Sequence, residues 1–405
     1  MASAGNAALP PAPISNTVYL DSCADLTQAN TPYVLTADVV SDGICFRALA
    51  KDVKLDCRGH SISNSSWPGY AAIQSSQPRT TVKNCRISGY LNGLLLEGAT
   101  GAKASNISIN FTCDTNQTSY INSGAIRLAG SNSSSFSGIS IYISEACFIQ
   151  SLFVKDSSGN SFDSFSITYL PQFPLYPVLF HNASNNSLTN SSLALPSPNY
   201  GGIRLLESNG NKVEGISSNA GITLVISSQN TLARNNATAI VAGAGSNNNK
   251  ILKNRLNGNP WETTLAFYYE SDNNTIEGNA LLSGECGVLC DSSTANNTFH
   301  WNNFTSGLEK YINDGGHNAY GRNISGRLEG NIYAKIFSGE AEVLGSVHSS
   351  YPGGPRWPGP FFIGEAGAAY PYRKNTSATM ILGNAVDYAP LTPFYAPSSE
   401  GSAIR

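Results

Sequence analysis

The stretch SNNNKILKNRLNG, from Ser246 to Gly258, decides the fold. It sets three consecutive asparagines before Ile251 and Leu252, although asparagine forms neither helices nor strands readily. The same arrangement recurs along the chain as GIRLLESNGNKVEG, GITLVISSQNTLAR and LAFYYESDNNTIEGN. Each copy has an alternating apolar run, a Ser/Gly/Asn turn and then Asn-x-apolar. The asparagines therefore mark one repeated structural position.

Aligning the copies gives a ladder of asparagines that are 19 to 26 residues apart: Asn160, Asn186, Asn211, Asn230, Asn249, Asn274 and Asn297. Ser134 takes this position in a weaker upstream copy. The residue two places later is always apolar: Phe162, Leu188, Val213, Leu232, Ile251, Ile276 and Phe299. Short alternating strands at such a period predict a coil of strands whose turns stack into one continuous core.

Alternation also predicts which side chains face inward. Eight residues before the repeated position lie Ile126, Leu152, Val178, Ile203, Ile222, Val241, Ala266 and Leu289. Six residues before it lie Leu128, Val154, Phe180, Leu205, Leu224, Gly243, Tyr268 and Asp291. We expect both rows inside, and the intervening row outside: Arg127, Phe153, Leu179, Arg204, Thr223, Ala242, Phe267 and Cys290. The asparagines should occupy the bend between strands, because asparagine tolerates left-handed backbone and stacked amides bond along the axis.

From about Cys45 to Tyr320, the repeats resemble the right-handed parallel β-helix superfamily. The resemblance is to its NosD-like, carbohydrate-binding and sugar-hydrolase branch, common in archaeal and bacterial surface proteins. The pattern V-x-L-D-C-x-G-x-x-I from Val53 to Ile62 resembles the first segment of such proteins. The implied fold is all-β, a right-handed single-stranded parallel β-helix (a pectate-lyase-like solenoid). The fold alone implies no particular reaction.

Four regions are predicted: an extended N-terminal segment at 1–16, an N-terminal cap at 17–50, β-helix repeats at 51–320 and an aromatic-rich C-terminal β cap at 321–405. Within the last, GNIY, FIGEAGAAYPY and DYAPLTP resemble the tail that closes such helices. In that family the middle segment is often an aspartate-rich loop suited to calcium. Here it carries Glu365 and no aspartate, so calcium lacks support and no cofactor or metal is predicted.

Composition argues against several classes of function. With a net charge of −3 and 13% charged residues, no basic surface for nucleic acid is indicated. No apolar stretch is long enough to span a bilayer. The start, MASAGNAALPPAPISNTVYL, lacks the basic and apolar regions of a signal peptide and reads as a mature N-terminus. Two methionines and dispersed histidines argue against a copper site.

The cysteines and glycosylation sequons favour a secreted, cell-surface protein. Cys57 and Cys85 fall in comparable places of successive coils, about 4.8 Å apart and within disulfide reach. Cys23 and Cys45 bracket the first segment, and the sequence leaves the connectivity open. The other four cysteines are interpreted as buried thiols: Cys113, Cys147, Cys286 and Cys290. Candidate N-glycosylation sites are Asn64, Asn106, Asn110, Asn116, Asn132, Asn182, Asn190, Asn236, Asn303, Asn323 and Asn375.

The favoured functional hypothesis is a non-catalytic, glycosylated rod that binds glycans or neighbouring surface-protein subunits. The predicted outer row contains no acid, whereas enzymes on this fold need converging carboxylates or a calcium cluster with a basic residue. Arg127 and Arg204 are candidates for binding a carboxylate or sulfate, or else solubilising charges. Tyr351 and Trp357 are candidates for stacking on sugars or docking a subunit, or else belong to the cap core.

The competing hypothesis is a polysaccharide lyase or glycoside hydrolase that acts on an acidic glycan. The long segments NFTCDTNQTSYINSG and TYLPQFPLYPV interrupt the even coils and would wall a cleft. The acids to suspect are then Asp114, Asp156 and Asp163. The sequence leaves the choice between the two hypotheses open.

Overall fold

The computed structural model describes residues 16–65, 69–111, 123–144, 149–171, 176–197, 201–334, 336–338, 341–343, 372–373 and 380–391. Over these ranges every regular element is a β-strand. The short alternating apolar segments of the sequence become short strands, because alternation suits a strand with one buried face.

The strands of the first coils are β1 Val18–Leu20, β2 Ala24–Leu26, β3 Pro32–Leu35, β4 Val39–Ser41, β5 Phe46–Ala48, β6 Lys54–Asp56, β7 Ser61–Asn64, β8 Gly69–Ser75, β9 Thr81–Ser88, β10 Tyr90–Glu97, β11 Lys103–Phe111, β12 Gly124–Ala129 and β13 Ser135–Ile143. Those of the middle coils are β14 Gln150–Lys155, β15 Ser161–Tyr169, β16 Val178–His181, β17 Ser187–Thr189, β18 Ser192–Ala194, β19 Gly201–Leu206, β20 Lys212–Glu214, β21 Ser217–Ser218, β22 Gly221–Val225, β23 Thr231–Ala233, β24 Asn236–Ala237, β25 Ile240–Gly243, β26 Lys250–Leu252 and β27 Arg255–Asn257. Those of the last part are β28 Thr263–Phe267, β29 Thr275–Glu277, β30 Ala280–Cys290, β31 Ala295–His300, β32 Asn303–Asp314, β33 His317–Ala319, β34 Arg322–Ile324, β35 Arg327–Glu329, β36 Ile332–Tyr333, β37 Ile336–Ser338, β38 Ala341–Val343, β39 Tyr372–Arg373, β40 Ile381–Gly383 and β41 Val386–Asp387.

Successive coils pair in parallel, and the chain forms a solenoid of about 11 turns. The predicted right-handed parallel β-helix is confirmed. The segment 17–50 belongs to the same stack, since β1, β2 and β4 pair in parallel with β3, β5 and β7. After residue 321, β36 and β40 join the main sheet, while β34–β35, β37–β38 and β39–β41 are antiparallel pairs.

Each coil has three faces. Face 1 contains β5, β8, β10, β12, β14, β16, β19, β22, β25 and β28. Face 2 contains β6, β17, β20, β23, β26 and β29, and face 3 contains β7, β18, β21, β24 and β27. The long strands β9, β11, β13 and β15 bend from face 2 to face 3.

Large apolar side chains from the three faces fill the interior in stacks that follow the axis. Phe136 and Phe162 stack with ring centroids 5.0 Å apart, and Phe299 stacks on Tyr320 at 4.9 Å. All four rings are buried. A coil alone could not cover its inner face, so neighbouring coils stabilise one another through these stacks.

The inward rows predicted from the sequence are wrong by one residue in three coils. Ile240 pairs with Ile222, and Leu265 pairs with Ile240, so these are the inward residues in place of Val241 and Ala266. Ala242, Phe267 and Cys290, expected outside, are buried; Gly243, Tyr268 and Asp291, expected inside, are partly exposed. The physical reason is a longer turn. Ala242 lies seven positions before Asn249, whereas Leu224 lies six positions before Asn230.

The ladder asparagines do not themselves adopt the left-handed backbone conformation expected of them. The left-handed residue at this corner is the one before each asparagine, for example Gln229 (φ 59°), Asn248 (φ 57°) and Asn273 (φ 57°). The ladder asparagines that follow, such as Asn249, point inward and are buried. The residue before each ladder asparagine therefore turns the chain, and the asparagine itself forms hydrogen bonds with buried backbone groups.

Candidate functional site

Face 1 carries a row of side chains that alternate with the inward row; within it, Leu95 and Phe153 are buried, although Phe153 was expected to be exposed. In order along the axis, the row is Gln74, Leu95, Arg127, Phe153, Leu179, Arg204, Thr223 and Val241. A second outward row, two residues further along each strand, contains Glu97, Ala129, Lys155, His181 and Leu206. We call these two rows the face 1 surface.

Arg127 is the centre of a polar group at one end of this surface. Its side chain is 18% exposed, and its Nη1 lies 3.3 Å from Glu97 Oε1. Gln74 donates through Nε2 to Glu97 Oε2 at 3.5 Å. The Nε of Arg127 is buried and has no hydrogen-bond partner. A buried donor without a partner costs free energy, so this guanidinium is held in place at the expense of stability.

Arg204 repeats this situation three coils further along the axis. Its guanidinium carbon lies 4.9 Å from the centroid of the Tyr176 ring, a cation–π contact. Its Nε is also buried without a hydrogen-bond partner. With coils about 4.8 Å apart, the two arginines are separated by about 14 Å. Buried Phe153 and half-buried Leu179 lie between them in the row.

The carboxylates suspected of catalysis do not converge. Asp156 is exposed at the corner after β14, where its Oδ1 accepts a hydrogen bond from Asn182 Nδ2 at 2.7 Å. Asp163 points outward from face 2 and accepts hydrogen bonds from Thr189 and Asn190. Hydrogen bonds, led by that of Thr189, lower the pKa of Asp163. Asp114 lies outside the described residues.

The asparagines of the predicted ladder form a chain of hydrogen bonds through the interior. In each rung, the amide oxygen accepts the backbone N–H of the preceding coil's asparagine, at 2.9 Å between Asn160 and Asn186 and 2.8 Å between Asn230 and Asn249. Several side-chain amides also donate directly to the next rung, such as Asn274 to Asn297 at 2.8 Å. The corners thus satisfy backbone groups that the strand ladders leave unpaired.

Two further ladders were missed by the sequence reasoning. One consists of Asn235, Asn254, Asn279, Asn302 and Asn331. The other consists of serine hydroxyls, as in Ser208, Ser227, Ser246 and Ser271. The signal was present, since Asn235, Asn254, Asn279 and Asn302 each lie five residues after an asparagine of the first ladder, and each of the four serines lies three residues before one.

Both asparagine ladders end on a buried aspartate. Asn318, the last rung of the first, donates to Asp314 Oδ1 at 2.9 Å. Asn331, the last of the second, donates to Asp387 Oδ2 from its backbone N–H at 2.8 Å and from its side chain at 3.2 Å. Burial raises the pKa of Asp387 to about 6, although hydrogen bonds from Asn331, Ala389 and Tyr333 favour its ionised form.

Two disulfides link neighbouring coils: Cys23–Cys45 and Cys57–Cys85, with Cα–Cα distances of 4.6 and 4.9 Å. Cys286 and Cys290 are buried free thiols, and burial raises the pKa of Cys286 to about 12. Cys113, Cys147, Tyr351 and Trp357 lie outside the described residues.

The sequon asparagines differ in exposure. Exposed ones are Asn106, Asn110, Asn182, Asn190, Asn236 and Asn323, whereas Asn64, Asn132 and Asn303 are half-buried. Asn116 and Asn375 lie outside the described ranges. Exposure is a precondition for attaching a glycan to a folded surface.

Residues 141–336 match a family model described as "NosD: Periplasmic copper-binding protein (NosD)". This match covers just under half of the chain, and over these residues the sequence is similar to NosD, as the repeats predict. No curated protein sequence matches the chain. The described residues contain no helix long and apolar enough to cross a membrane.

Solved β-helix structures resemble this chain at low identity. The A-module of mannuronan C-5 epimerase AlgE6 from Azotobacter vinelandii is 9% identical, with 78% of this chain and 88% of that chain covered and a TM-score of 0.46. DFA-IIIase from Arthrobacter chlorophenolicus A6 is 12% identical, covering 70% and 83%, with a TM-score of 0.40. Alginate lyase from Paenibacillus sp. str. FPU-7 is 12% identical, covering 78% and 97%, with a TM-score of 0.32.

The copper in the family description finds no matching ligand set among the described residues. Within the described ranges, no group of three His, Cys, Asp or Glu side chains comes together as a metal site requires. His300 is buried, with Nε2 3.5 Å from Glu277, and burial lowers its pKa. One histidine paired with one glutamate supplies too few ligands for a copper site.

Proposed function

We propose that this protein is a secreted, non-catalytic β-helix that binds an acidic glycan along its face 1 surface. The observation that carries the proposal is the pair of half-buried arginines, Arg127 and Arg204, each with a buried Nε that lacks a partner. A carboxylate or sulfate would bind the partly exposed guanidinium groups, because guanidinium groups bind such oxyanions through two parallel hydrogen bonds. The two disulfides support an oxidising compartment outside the cytoplasm.

The charge of the surface supports an anionic ligand. Between Glu97 and Arg204, the two outward rows contain Arg127, Lys155 and His181, and Glu97 is their one acid. Lys155 and His181 are neighbours in adjacent coils. Half-buried Leu179 provides an apolar patch between the arginines, against which the carbon face of a sugar ring would pack.

The shape of the solenoid supports a polymer rather than a single sugar. Equivalent side chains recur at every coil, about 4.8 Å apart, so the arginines lie on a line parallel to the axis. An extended chain of acidic sugars laid along this line would contact both arginines at once. Loss of either arginine should therefore weaken binding without abolishing it, through the loss of one of two linked contacts.

Calorimetric titration with an oligouronate, and with a neutral oligosaccharide of equal length, tests the proposal. Arg127→Ala and Arg204→Ala should each weaken oligouronate binding about tenfold, the loss of one charge-assisted contact. Arg255→Ala is the matched control, because Arg255 is exposed on face 3 and forms no ion pair with the described residues. Unchanged oligouronate binding by the face 1 double variant would refute the proposal.

The second candidate function, a polysaccharide lyase, is favoured by the placement of one pair of residues. Lys155 and His181 are adjacent outward residues beside the arginine row. A proton-abstracting group next to a guanidinium that neutralises a carboxylate is what β-elimination from a uronate requires. Incubation with polyuronates distinguishes the two. Unsaturated products that disappear in His181→Ala and Lys155→Ala would establish the lyase, whereas binding without turnover supports the non-catalytic protein.

A further inference from the structure

We propose a second anion-binding site, in a cleft of about 470 Å³ at the corner between faces 2 and 3, near the N-terminal end. The cleft is lined by Arg58, Gly59, Asn84, Cys85, Arg86, Asn106, Ile107, Ser108, Gly138 and Ser140. Its lining includes two arginines and no acidic residue. The ligand it fits is an oxyanion on a sugar, a carboxylate or a sulfate ester. This site is separate from the face 1 surface and does not depend on its function.

The two arginines keep their charge available. Neither Arg58 nor Arg86 forms an ion pair with a carboxylate of the described residues. Asp56, the nearest acid in sequence, is engaged elsewhere: its Oδ2 lies 3.0 Å from Lys83 Nζ, and its Oδ1 accepts hydrogen bonds from Asn84 Nδ2 and the backbone N–H of Arg58, both at 2.9 Å. A ligand oxyanion would therefore meet two unneutralised guanidinium groups.

The cleft is held in shape by contacts that do not use the ligand. Arg86 Nε donates to the backbone oxygen of Gly59 at 2.7 Å, which fixes the direction of its guanidinium. The Cys57–Cys85 disulfide joins the two coils directly beneath. Asn106 Nδ2 donates to Asn84 Oδ1 at 2.9 Å, so the amides on one wall are aligned. Preorganisation of this kind lowers the entropic cost of binding.

Gly138 creates the open space. It occupies the same left-handed corner as Asn84 and Asn106, with φ values of 61°, 57° and 53°. Where the two preceding coils place an amide, this coil places no side chain. A Cβ at Gly138 would meet the Asn106 backbone nitrogen at 3.8 Å, an ordinary contact. The backbone therefore tolerates a side chain here, and asparagine is the residue that suits this conformation.

Gly138→Asn is accordingly a test that fills the cleft without changing its charge. We would measure binding of a uronate disaccharide, a sulfated disaccharide and a neutral disaccharide to unglycosylated protein. The measurement uses an Arg127→Ala/Arg204→Ala background, so that the face 1 surface does not contribute. At least one anionic disaccharide should bind, and the preferred one identifies the oxyanion as carboxylate or sulfate.

Gly138→Asn, Arg58→Ala and Arg86→Ala should each weaken this binding about tenfold, while melting temperatures stay close to that of the parent. Arg255→Ala, which removes one exposed positive charge elsewhere, should leave it unchanged. Two results would overturn the site: unchanged binding in Gly138→Asn, or equal losses in Arg86→Ala and Arg255→Ala, which would show attraction by net charge only. Absence of anionic disaccharide binding in the background protein would overturn it as well.

Discussion

Replacing Asn254 by alanine should destabilise the solenoid more than any single exposed substitution. The Asn254 side chain is buried and makes four hydrogen bonds. Its Oδ1 accepts from the backbone N–H and Nδ2 of Asn235 at 2.9 and 3.0 Å. Its Nδ2 donates to the Leu232 carbonyl and to Asn279 Oδ1, both at 2.9 Å.

The expected cost follows from which groups keep a partner. Asn235 Nδ2 retains the Val213 carbonyl, and Asn279 Oδ1 retains the Asn254 backbone N–H. The backbone N–H of Asn235 loses the acceptor that the Asn254 side chain supplies. One orphaned buried donor costs about 1 to 3 kcal/mol, and the other lost bonds add about 0.5 to 1.5 kcal/mol each. We therefore expect the free energy of unfolding to fall by about 3 to 5 kcal/mol.

Urea denaturation followed by far-ultraviolet circular dichroism measures this change. Asn257→Ala is the matched control, because Asn257 is exposed and accepts one hydrogen bond, from the Ser283 hydroxyl at 2.9 Å. It should cost less than about 1 kcal/mol. If the free energies of unfolding of the two variants agreed within about 1 kcal/mol, the interior ladder would not stabilise the fold in the way argued.

Three other perturbations have defined outcomes. The pKa of Asp387 is about 6 in the folded protein and 3.8 ordinarily, so the folded state binds this proton more tightly than the unfolded state does. The stability that the protonated Asp387 contributes is therefore complete below about pH 4 and falls by about 3 kcal/mol as the pH rises through 6. The difference in unfolding free energy between the parent and Asp387→Asn, measured across this range, should show that slope, and a flat difference would contradict it. Ile251→Asp places a charge at a position with 0% exposure and should cost several kcal/mol or prevent folding, as judged by soluble yield and melting temperature. Replacing Cys57 and Cys85 by serine removes a cross-link between residues 28 apart and should lower the free energy of unfolding by about 3 to 4 kcal/mol. Chemical reduction of the parent opens both disulfides, so any loss beyond that of the double variant measures the contribution of Cys23–Cys45.

The sequence was sufficient to predict the architecture because the fold repeats. Each coil restates the same pattern, so an error in one copy, such as the serine at position 134, does not hide the period. The exact register was less secure. A single additional residue in the turn before Asn249 moved Ile240 into the core in place of Val241, and alternation alone does not show where an extra residue is absorbed.

The candidate site was harder to predict because it is not local in the sequence. Arg127 and Arg204 were recognisable as outward residues, but their buried Nε atoms depend on neighbours from other coils. The approach of Glu97 to Arg127 likewise joins residues from two coils. Asp156 and Asp163 are close in sequence, yet a corner directs them to different sides of the rod. Spacing along the chain is a poor guide to proximity on a solenoid surface.

The two asparagine ladders give the rod a direction and a stopping point. In every rung the backbone N–H donates to the amide oxygen of the following coil's asparagine, and the rung's own amide oxygen accepts from the preceding coil. Any interior rung is therefore interchangeable with its neighbours. Duplicating or deleting a coil between two such rungs would leave all amides paired. The final rung of each ladder differs, because its amide donates to a carboxylate oxygen, which accepts hydrogen bonds without donating one. Asp314 and Asp387 supply these oxygens. The length of this protein can therefore change by whole coils over evolution, while its last coil must be inherited intact.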